Sequence, residues 1–588
     1  MAAKAEAAIT AGLRPDLFAK RGVVSGNARL LVIALALLVV AGLGFRFTHL
    51  SAEGLSEDEL NKWEAVKDYR QHGLTAANGE HPLLMKALQT ATVVFADKWN
   101  SISVGAHNPI APETALRFPS VLFGALTAIL IYLLAAELFG AEVGLIAAAL
   151  WTFDPSAIGF NRIAKEDTFL LFFFLLANVF WLRGQRMAES KPNVKAIKYY
   201  WATAAAFGAM MASKYLPQMI TITVAYYWLF QSIPETRWRL GKKRMLAFFS
   251  IMGITFLLLN PTILLPATWR QMGLFAGQKL IGHDGYEFMG QLYSHRMTDW
   301  LRGIPWYFYH LYVLVKLPLL TVAGFLIGLP LLFRRKLGDG RYFMLLWLFL
   351  WMMTFSFTGG KFTRYFTVAL PAVLITAALG IQFLGGWISE RVSGWLAAPR
   401  SNNYLRTALA AIVIIGSVQA SGSVAPHFRL FTNALGGGIA REGYYFPHDE
   451  FYDASIRDVI FEIAKRAKPN AQVASEVPGV AAFYAQRANR ADLICVSLSD
   501  PKVLKQLKQG DYVIDARGRR YFSNEMVLNA LSHSGTPAFQ AKLGTTVSAS
   551  VYELDKTSQE AVIQTAGRMP PLASNIKLLS NGTHVIRN

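Results

Sequence analysis

Cysteine is almost absent. Cys495 is the only one in 588 residues, so an internal disulfide and a cysteine-built metal centre are both excluded. Charge is scarce too, at 16% of residues, where a soluble domain carries about a quarter. No GxGxxG and no P-loop pattern occurs, which removes the usual dinucleotide and nucleoside-triphosphate signatures. No internal repeat of fixed period is visible, which argues against solenoids and propellers. The first apolar run follows 29 polar or mixed residues and lacks a small-residue cleavage site, so a cleavable secretory signal is not expected.

What fills the chain instead is apolar sequence, 53% hydrophobic and 13% aromatic, gathered in long blocks that read as a multi-pass membrane protein. The formal net charge of +20 raises nucleic acid as a partner, but most basic residues sit in short loops between apolar runs. That is the signature of cytoplasmic loops, so no nucleic-acid partner is expected. The N-terminal tail, residues 1–29, carries Lys4, Arg14, Lys20, Arg21 and Arg29 and should stay inside. The first run, Leu30 to Phe45, then crosses outward. Residues 47–113 hold nine acids against five Lys or Arg, as suits an external loop. Further runs at 115–136, 143–160, 168–183, 199–213, 215–232, 246–266, 304–333, 342–358, 364–386 and 405–422 bring the expected crossings to about eleven. The transmembrane domain is thus expected over 30–422, with external loops at 46–114 and 267–303.

Beyond residue 422 the pattern changes to that of a soluble domain, which the crossing count places outside. Helix-like 453–467, 478–488, 501–508 and 523–533 alternate with strand-like 471–476, 492–498 and 511–515, and 536–554 is β-rich. This predicts a small α/β domain within 423–588. The acidic stretch FPHDEFYD near its start lacks metal-ligand spacing and reads as structural. Cys495 lies in an apolar strand and reads as core.

The stretch Ser56 to Leu88 concentrates the chemistry. It places Glu57, Asp58 and Glu59 just past the first crossing, followed by Leu60, Trp63, Val66 and Lys67 near helical spacing, and then His81-Pro82-Leu83-Leu84 with Lys86. Ionisable residues beside lipid are costly unless they work. On the same topology Arg117, Arg162, Glu166, Asp167, Lys214, His283, Lys361 and Arg364 all fall at the outer membrane surface. Lysines and arginines there suit a lipid-linked phosphate, and a carboxylate that stays ionised beside them suits a base. Each has a plainer alternative: solvated loop acids for Asp58 and Glu59, interfacial anchors for Arg117, Arg162, Lys361 and Arg364.

The order of these residues resembles a known family. Asp58-Glu59, His81-Pro82-Leu83-Leu84 with Lys86, Leu116-Arg117-Phe118-Pro119-Ser120, Asn161-Arg162 with Glu166-Asp167, Ser213-Lys214-Tyr215, His283 with Tyr286 and Phe288, and Lys361 with Arg364-Tyr365 look like the glycosyltransferase-C membrane enzymes. The likeness is to the protein O-mannosyltransferase and aminoarabinose transferase group, the bacterial dolichyl-phosphate-mannose-protein mannosyltransferase-like enzymes among them, over roughly 30–390. The chain departs from that group in reading HPLL where HPPL is common, and in an external loop at 267–303 too short for a folded β-rich insertion.

The resemblance implies a mainly α, multi-pass fold and a polyprenyl-monophosphate sugar as donor, with inversion at the anomeric carbon. It implies Asp58 as the base and Glu59 as its partner, and Arg117, Arg162, Lys361 and Arg364 as holders of the donor phosphate. His81, Lys86, Lys214 and His283 would line the cavity, and Asp167 would orient Arg162. No metal ligands stand out; none is expected to be essential, and a divalent ion is left open. Expected partners are membrane lipid, the lipid-linked sugar, and a protein or glycolipid acceptor. A protein Ser or Thr is slightly favoured over lipid A or another glycolipid, and a transporter is the rival from another class. The expected location is the bacterial inner membrane, with the active site and C-terminal domain on the extracytoplasmic side.

Overall fold

In the computed structural model the described residues are 28–190, 195–228, 242–277, 284–396 and 401–569. The chain begins with helix α1 (Ala28–Phe47), whose Leu30, Val32, Ile33, Leu37 and Val40 are exposed, as an apolar helix in lipid requires. Its one deeply buried charged residue is Arg46. The segment that follows folds into α2 (Glu57–His72) and α3 (Leu83–Asn100) and leads into α4 (Pro112–Phe139).

The run expected as one crossing at 143–160 is two helices, α5 (Ala141–Phe153) and α6 (Pro155–Asn161), bent by 61°. The sequence explains the break. Pro155 has no N–H to continue the helix and fits the first position of a new one, and Asp154 accepts from the Ala157 amide at 2.9 Å to cap it. The carbonyls released at the end of α5 are met by Arg46, which donates to Thr152 O at 3.1 Å and Trp151 O at 3.2 Å and reaches Asn161 at 3.0 Å. Asn161 lies so close to α4 that a Cβ on Gly124 would sit 2.4 Å from its Cγ; only glycine fits there.

The helical domain continues through α7 (Asp167–Ser190), α8 (Lys195–Ser213), α9 (Lys242–Leu259), α10 (Pro266–Gly277), α11 (Phe308–Lys316), α12 (Leu319–Leu331), α13 (Gly340–Phe357), α14 (Leu370–Leu396) and α15 (Ser401–Val424). Each of the eleven expected runs contains helix. Six helices among the described residues are long and apolar enough to span a membrane alone, or seven with the bent pair. The others are shorter or basic in their first turn: α8 opens on Lys195 and Lys198, α9 on Lys242, Lys243 and Arg244, and Pro318 divides α11 from α12. The fold is that of a multi-pass helical membrane protein. Where α12 crosses α14, a Cβ on Gly328 would meet Thr376 O at 1.9 Å, the close backbone approach that small residues permit in lipid.

Between α10 and α11 stands a hairpin, β1 (Gly285–Phe288) with β2 (Gln291–Ser294). After α15 a short helix, α16 (Pro447–Phe451), leads into the α/β region. There α17 (Ile456–Arg466), β3 (Gln472–Ser475), α18 (Pro478–Arg487), β4 (Ile494–Ser497), β5 (Tyr512–Ala516), α19 (Glu525–Ser534), β6 (Phe539–Leu543), β7 (Thr546–Glu553) and α20 (Lys556–Ala566) follow in turn. The sheet order is β4-β3-β5-β7-β6, with β4, β3 and β5 parallel and β5-β7-β6 antiparallel. The alternation in the sequence anticipates each strand; α20 is additional. Cys495 is half-buried in β4.

One buried ion pair joins α2 to α4. Arg117, in the second turn of α4, forks onto both oxygens of Glu59 at 2.8 and 2.7 Å and donates to the carbonyls of Leu50, Glu53 and Gly54. Glu59 also accepts from Ser56 N and Ala164 N, so both charges are fully satisfied, the condition under which a buried pair is tolerated. Replacing Arg117 with Ala strands the carboxylate and should cost about 3–5 kcal/mol. Thermal unfolding of the detergent-purified protein should show a large drop in melting temperature that Arg117→Lys, lacking the fork, does not restore.

Candidate active site

Asp58 is the residue before the Arg117-bound carboxylate, in the first turn of α2. Ser56 caps that helix and forms a reciprocal capping box with Glu59, so the direction of Asp58 is set by a rigid helix start. Its Oδ2 meets Lys165 Nζ at 2.8 Å, the Tyr452 hydroxyl at 2.8 Å and Arg364 Nη2 at 3.7 Å. Lys165 is placed by the same carboxylate clamp, because its neighbour Ala164 donates its amide to Glu59 at 2.9 Å. Burial alone would raise the Asp58 pKa, but Lys165 and Arg364 outweigh it and hold the carboxyl well below its usual range.

Beside this cluster lies Glu166, buried, with Lys62 at 3.0 Å, His81 at 3.4 Å and Lys165 at 3.9 Å. It too stays ionised, since burial, which would raise its pKa, is overcome by the charges of Lys62 and Lys165. Burial instead drives His81 well below its ordinary pKa, against the pull of Glu166, so the imidazole is neutral. Asp167 opens α7 and takes Lys214 at 2.6 Å, and the Lys214 ammonium sits 4.8 Å from the Tyr365 ring centroid. Asp58, His81, Lys165, Glu166, Lys214, Arg364 and Tyr452 line one cavity of about 420 Å³. Its wall is completed by Tyr215, Met272 and Phe275 on one side and by Glu57, His448 and Arg519 on the other.

The structure therefore divides the residues singled out in the sequence. It brings together Asp58, His81, Lys214 and Arg364, with Asp167 just behind Lys214. Glu59 and Arg117 are engaged with each other and do not line the cavity. Arg162 is spent on the carbonyls of Phe45, Arg46, Thr48 and His49; that is why Asp167 pairs with Lys214 and not with Arg162. Lys361 donates to Ile304 O and Thr358 O, and burial brings its pKa down to about 8. Lys86 donates to the carbonyls of Ala77, Asn78 and His81, and burial lowers it to about 7; it fixes the turn that presents His81. His283 lies outside the described residues.

Lys62, Lys165, Tyr452 and Arg519 are additions to that set. Lys62 stands four residues after Asp58, on the same helix face, and Lys165 directly precedes Glu166. These two had local signals. Tyr452 and Arg519 come from the C-terminal region, where FPHDEFYD reads only as structural. In the fold that stretch is a tie into the helical domain: Glu450 takes Lys316 at 2.7 Å, and Asp449 takes Arg364 at 3.2 Å and the Tyr286 hydroxyl at 2.7 Å. No group of three or more His, Cys, Asp or Glu among the described residues is arranged to hold a metal ion.

Residues 110–265 match the family model for dolichyl-phosphate-mannose-protein mannosyltransferase. No curated protein matches the chain. Among solved structures, the oligosaccharyltransferase of Archaeoglobus fulgidus in the apo form aligns with a TM-score of 0.50 at 11% identity, covering 83% of this chain and 70% of that one. The structure of ArnT from Cupriavidus metallidurans bound to undecaprenyl phosphate aligns with a TM-score of 0.47 at 15% identity, covering 90% and 98%. The structural likeness concerns the fold. The family match over 110–265 agrees with the resemblance read from the sequence.

Glu57 faces the C-terminal region, where Arg519 meets it at 3.1 Å. Burial, opposed by Arg519, raises its pKa from 4.5 to about 7. The folded state then holds this proton more tightly than the unfolded state, so its contribution to stability is full below pH 4.5 and is lost as pH rises to about 7. Glu57→Gln should flatten the fall in melting temperature across that window, as read by thermal unfolding at stepped pH; an unchanged slope contradicts the assignment.

Proposed function

We propose that the chain transfers a sugar from a polyprenyl monophosphate to an acceptor hydroxyl on the extracytoplasmic side of the membrane. The observation that carries this reading is Arg364. Its guanidinium is buried, its Nη atoms touch Asp58 and Asp449, and its Nε has no hydrogen-bond partner among the described residues. A buried donor left unmet is costly, and a phosphate oxygen is the acceptor that best fits a guanidinium. Lys165 and Lys214 stand on the same cavity and supply further positive charge.

In this reading the phosphate is held by Arg364, Lys165 and Lys214. Arg117, Arg162 and Lys361 stay on their internal carboxylate and carbonyl partners and do not touch it. Asp58 has its donors on Oδ2, so Oδ1 takes the proton of the acceptor hydroxyl as its oxygen attacks the anomeric carbon from the face opposite the phosphate. The bond from that carbon to the phosphate oxygen breaks, the electron pair leaves with the phosphate, and configuration inverts. Because the cations already neutralise the leaving group, it departs without a proton, and one carboxylate suffices. A base held well below its usual pKa is weak, so proton transfer is late, after the anomeric carbon has gained positive charge.

The family description over 110–265 names a lipid-linked mannose and a protein acceptor, which favours a protein Ser or Thr. An acceptor hydroxyl on a glycolipid such as lipid A uses the same chemistry. The test is transfer by the protein in nanodiscs from polyprenyl-phosphate mannose, labelled in the sugar, to an envelope fraction separated into protein and lipid. Asp58→Asn should lower turnover by about 10²-fold or more with donor binding retained, and Arg364→Met with Lys165→Met should weaken donor binding. Turnover unchanged in Asp58→Asn, or donor binding lost on Lys361→Met but not on Arg364→Met, refutes the assignment.

A further inference from the structure

Tyr452 enters the cavity from a turn that the backbone does not adopt freely. Tyr452 and Asp453 are consecutive non-glycine residues with φ of 46° and 61°, in the left-handed region where a bulky aromatic is an outlier. Such strain persists only where surrounding contacts over-determine it, and it gathers at functional sites. The contacts here are specific. Asp453 accepts from the Glu57 amide at 3.1 Å and is forked by Arg519, through Nε at 2.6 Å and through Nη2. Arg519 in turn reaches Glu57. The turn is therefore pinned to the first residue of α2, one residue before Asp58.

The result is a phenol delivered to a carboxylate across 394 residues of chain. The Tyr452 ring is buried, with the guanidinium carbons of Arg429 and Arg364 at 5.6 and 5.8 Å from its centroid. Burial, with Asp58 close by, raises the phenol well above its ordinary pKa, so it donates without adding charge. Unlike Lys165 and Arg364, it carries no charge for a phosphate to draw, and it already donates to an ionised carboxylate in Asp58.

Resting on the glycosyl-transfer reading, we propose that Tyr452 is a positioning residue that keeps Asp58 aimed at the acceptor while the cations turn to the donor phosphate, and that the C-terminal region thereby forms part of the active site. The two cations pair with Asp58 and are shared with the phosphate once the donor binds. Without the phenol, the carboxylate would follow Lys165 toward the phosphate or rotate. With it, Oδ2 remains tethered and Oδ1 remains available.

Tyr452→Phe removes one oxygen and keeps the ring and the turn. With polyprenyl-phosphate mannose as donor, kcat should fall roughly tenfold, the worth of one hydrogen bond to a charged group, while the donor KM stays within twofold. A kcat within twofold of the unsubstituted protein, or a loss confined to KM, overturns the proposal. A double-mutant cycle on melting temperature, with Asp58→Ala, Tyr452→Phe and the pair, reads the same contact with no donor present. Non-additive shifts support it and additive shifts overturn it. A wild-type protein inert with this donor overturns the underlying reading instead, and the melting cycle then decides the contact on its own.

Discussion

The carboxylate of Glu59 fixes the geometry on which the cavity depends. It accepts from a guanidinium rooted in a membrane helix, from the amide that starts α2, and from the amide of Ala164 in the turn before α7. Asp58 is the chain neighbour of Glu59 itself and Lys165 that of Ala164, so one buried anion sets the distance between the candidate base and the nearest cation. The cost of burying it is met by Arg117, whose acceptors among the described residues are this carboxylate and three carbonyls of the same loop. Neither residue of the pair needs to touch a substrate to matter.

Around that fixed point the cavity alternates in sign. Asp58 stands with Lys165, Arg364 and Tyr452, Glu166 with Lys62 and His81, and Asp167 with Lys214. Buried ion pairs seldom improve stability over apolar packing, so a run of them along one cavity is poorly explained as scaffolding. As a receptor for an anion it makes sense. The cations are held in place by internal carboxylates, and an incoming phosphate shares them without the full cost of assembling a positive site. The C-terminal region closes the far wall through Tyr452, His448 and Arg519, so the cavity lies at a joint between the helical and the α/β parts.

Much of this was legible in the sequence, for reasons that differ by element. Lipid imposes long apolar runs, so α1, α4, α7, α13, α14 and α15 announce themselves, and short β-prone runs between helix-like segments mark β3, β4 and β5. The bend at Asp154-Pro155 carries its own local signal, a capping residue before proline, but the apolar run continues through it and hides the break. Residue types and sidedness likewise bring Asp58, Arg364 and Lys214 to one surface. They cannot assign partners: Arg117 and Arg364 look alike in sequence, and only the fold shows the first saturated by Glu59 and carbonyls while the second keeps a donor free. Tyr452 is the extreme case, since its relation to Asp58 is wholly long-range.

On this chemistry Arg364 and Lys165 receive a lipid-borne phosphate next to an ionised Asp58. A structure of the protein in nanodiscs with a polyprenyl monophosphate bound tests it most directly. The account predicts phosphate oxygens within about 3 Å of Arg364 Nε and Lys165 Nζ, with Tyr452 still on Asp58. A phosphate seated against Arg117, Arg162 or Lys361, with Arg364 Nε unmet, contradicts it.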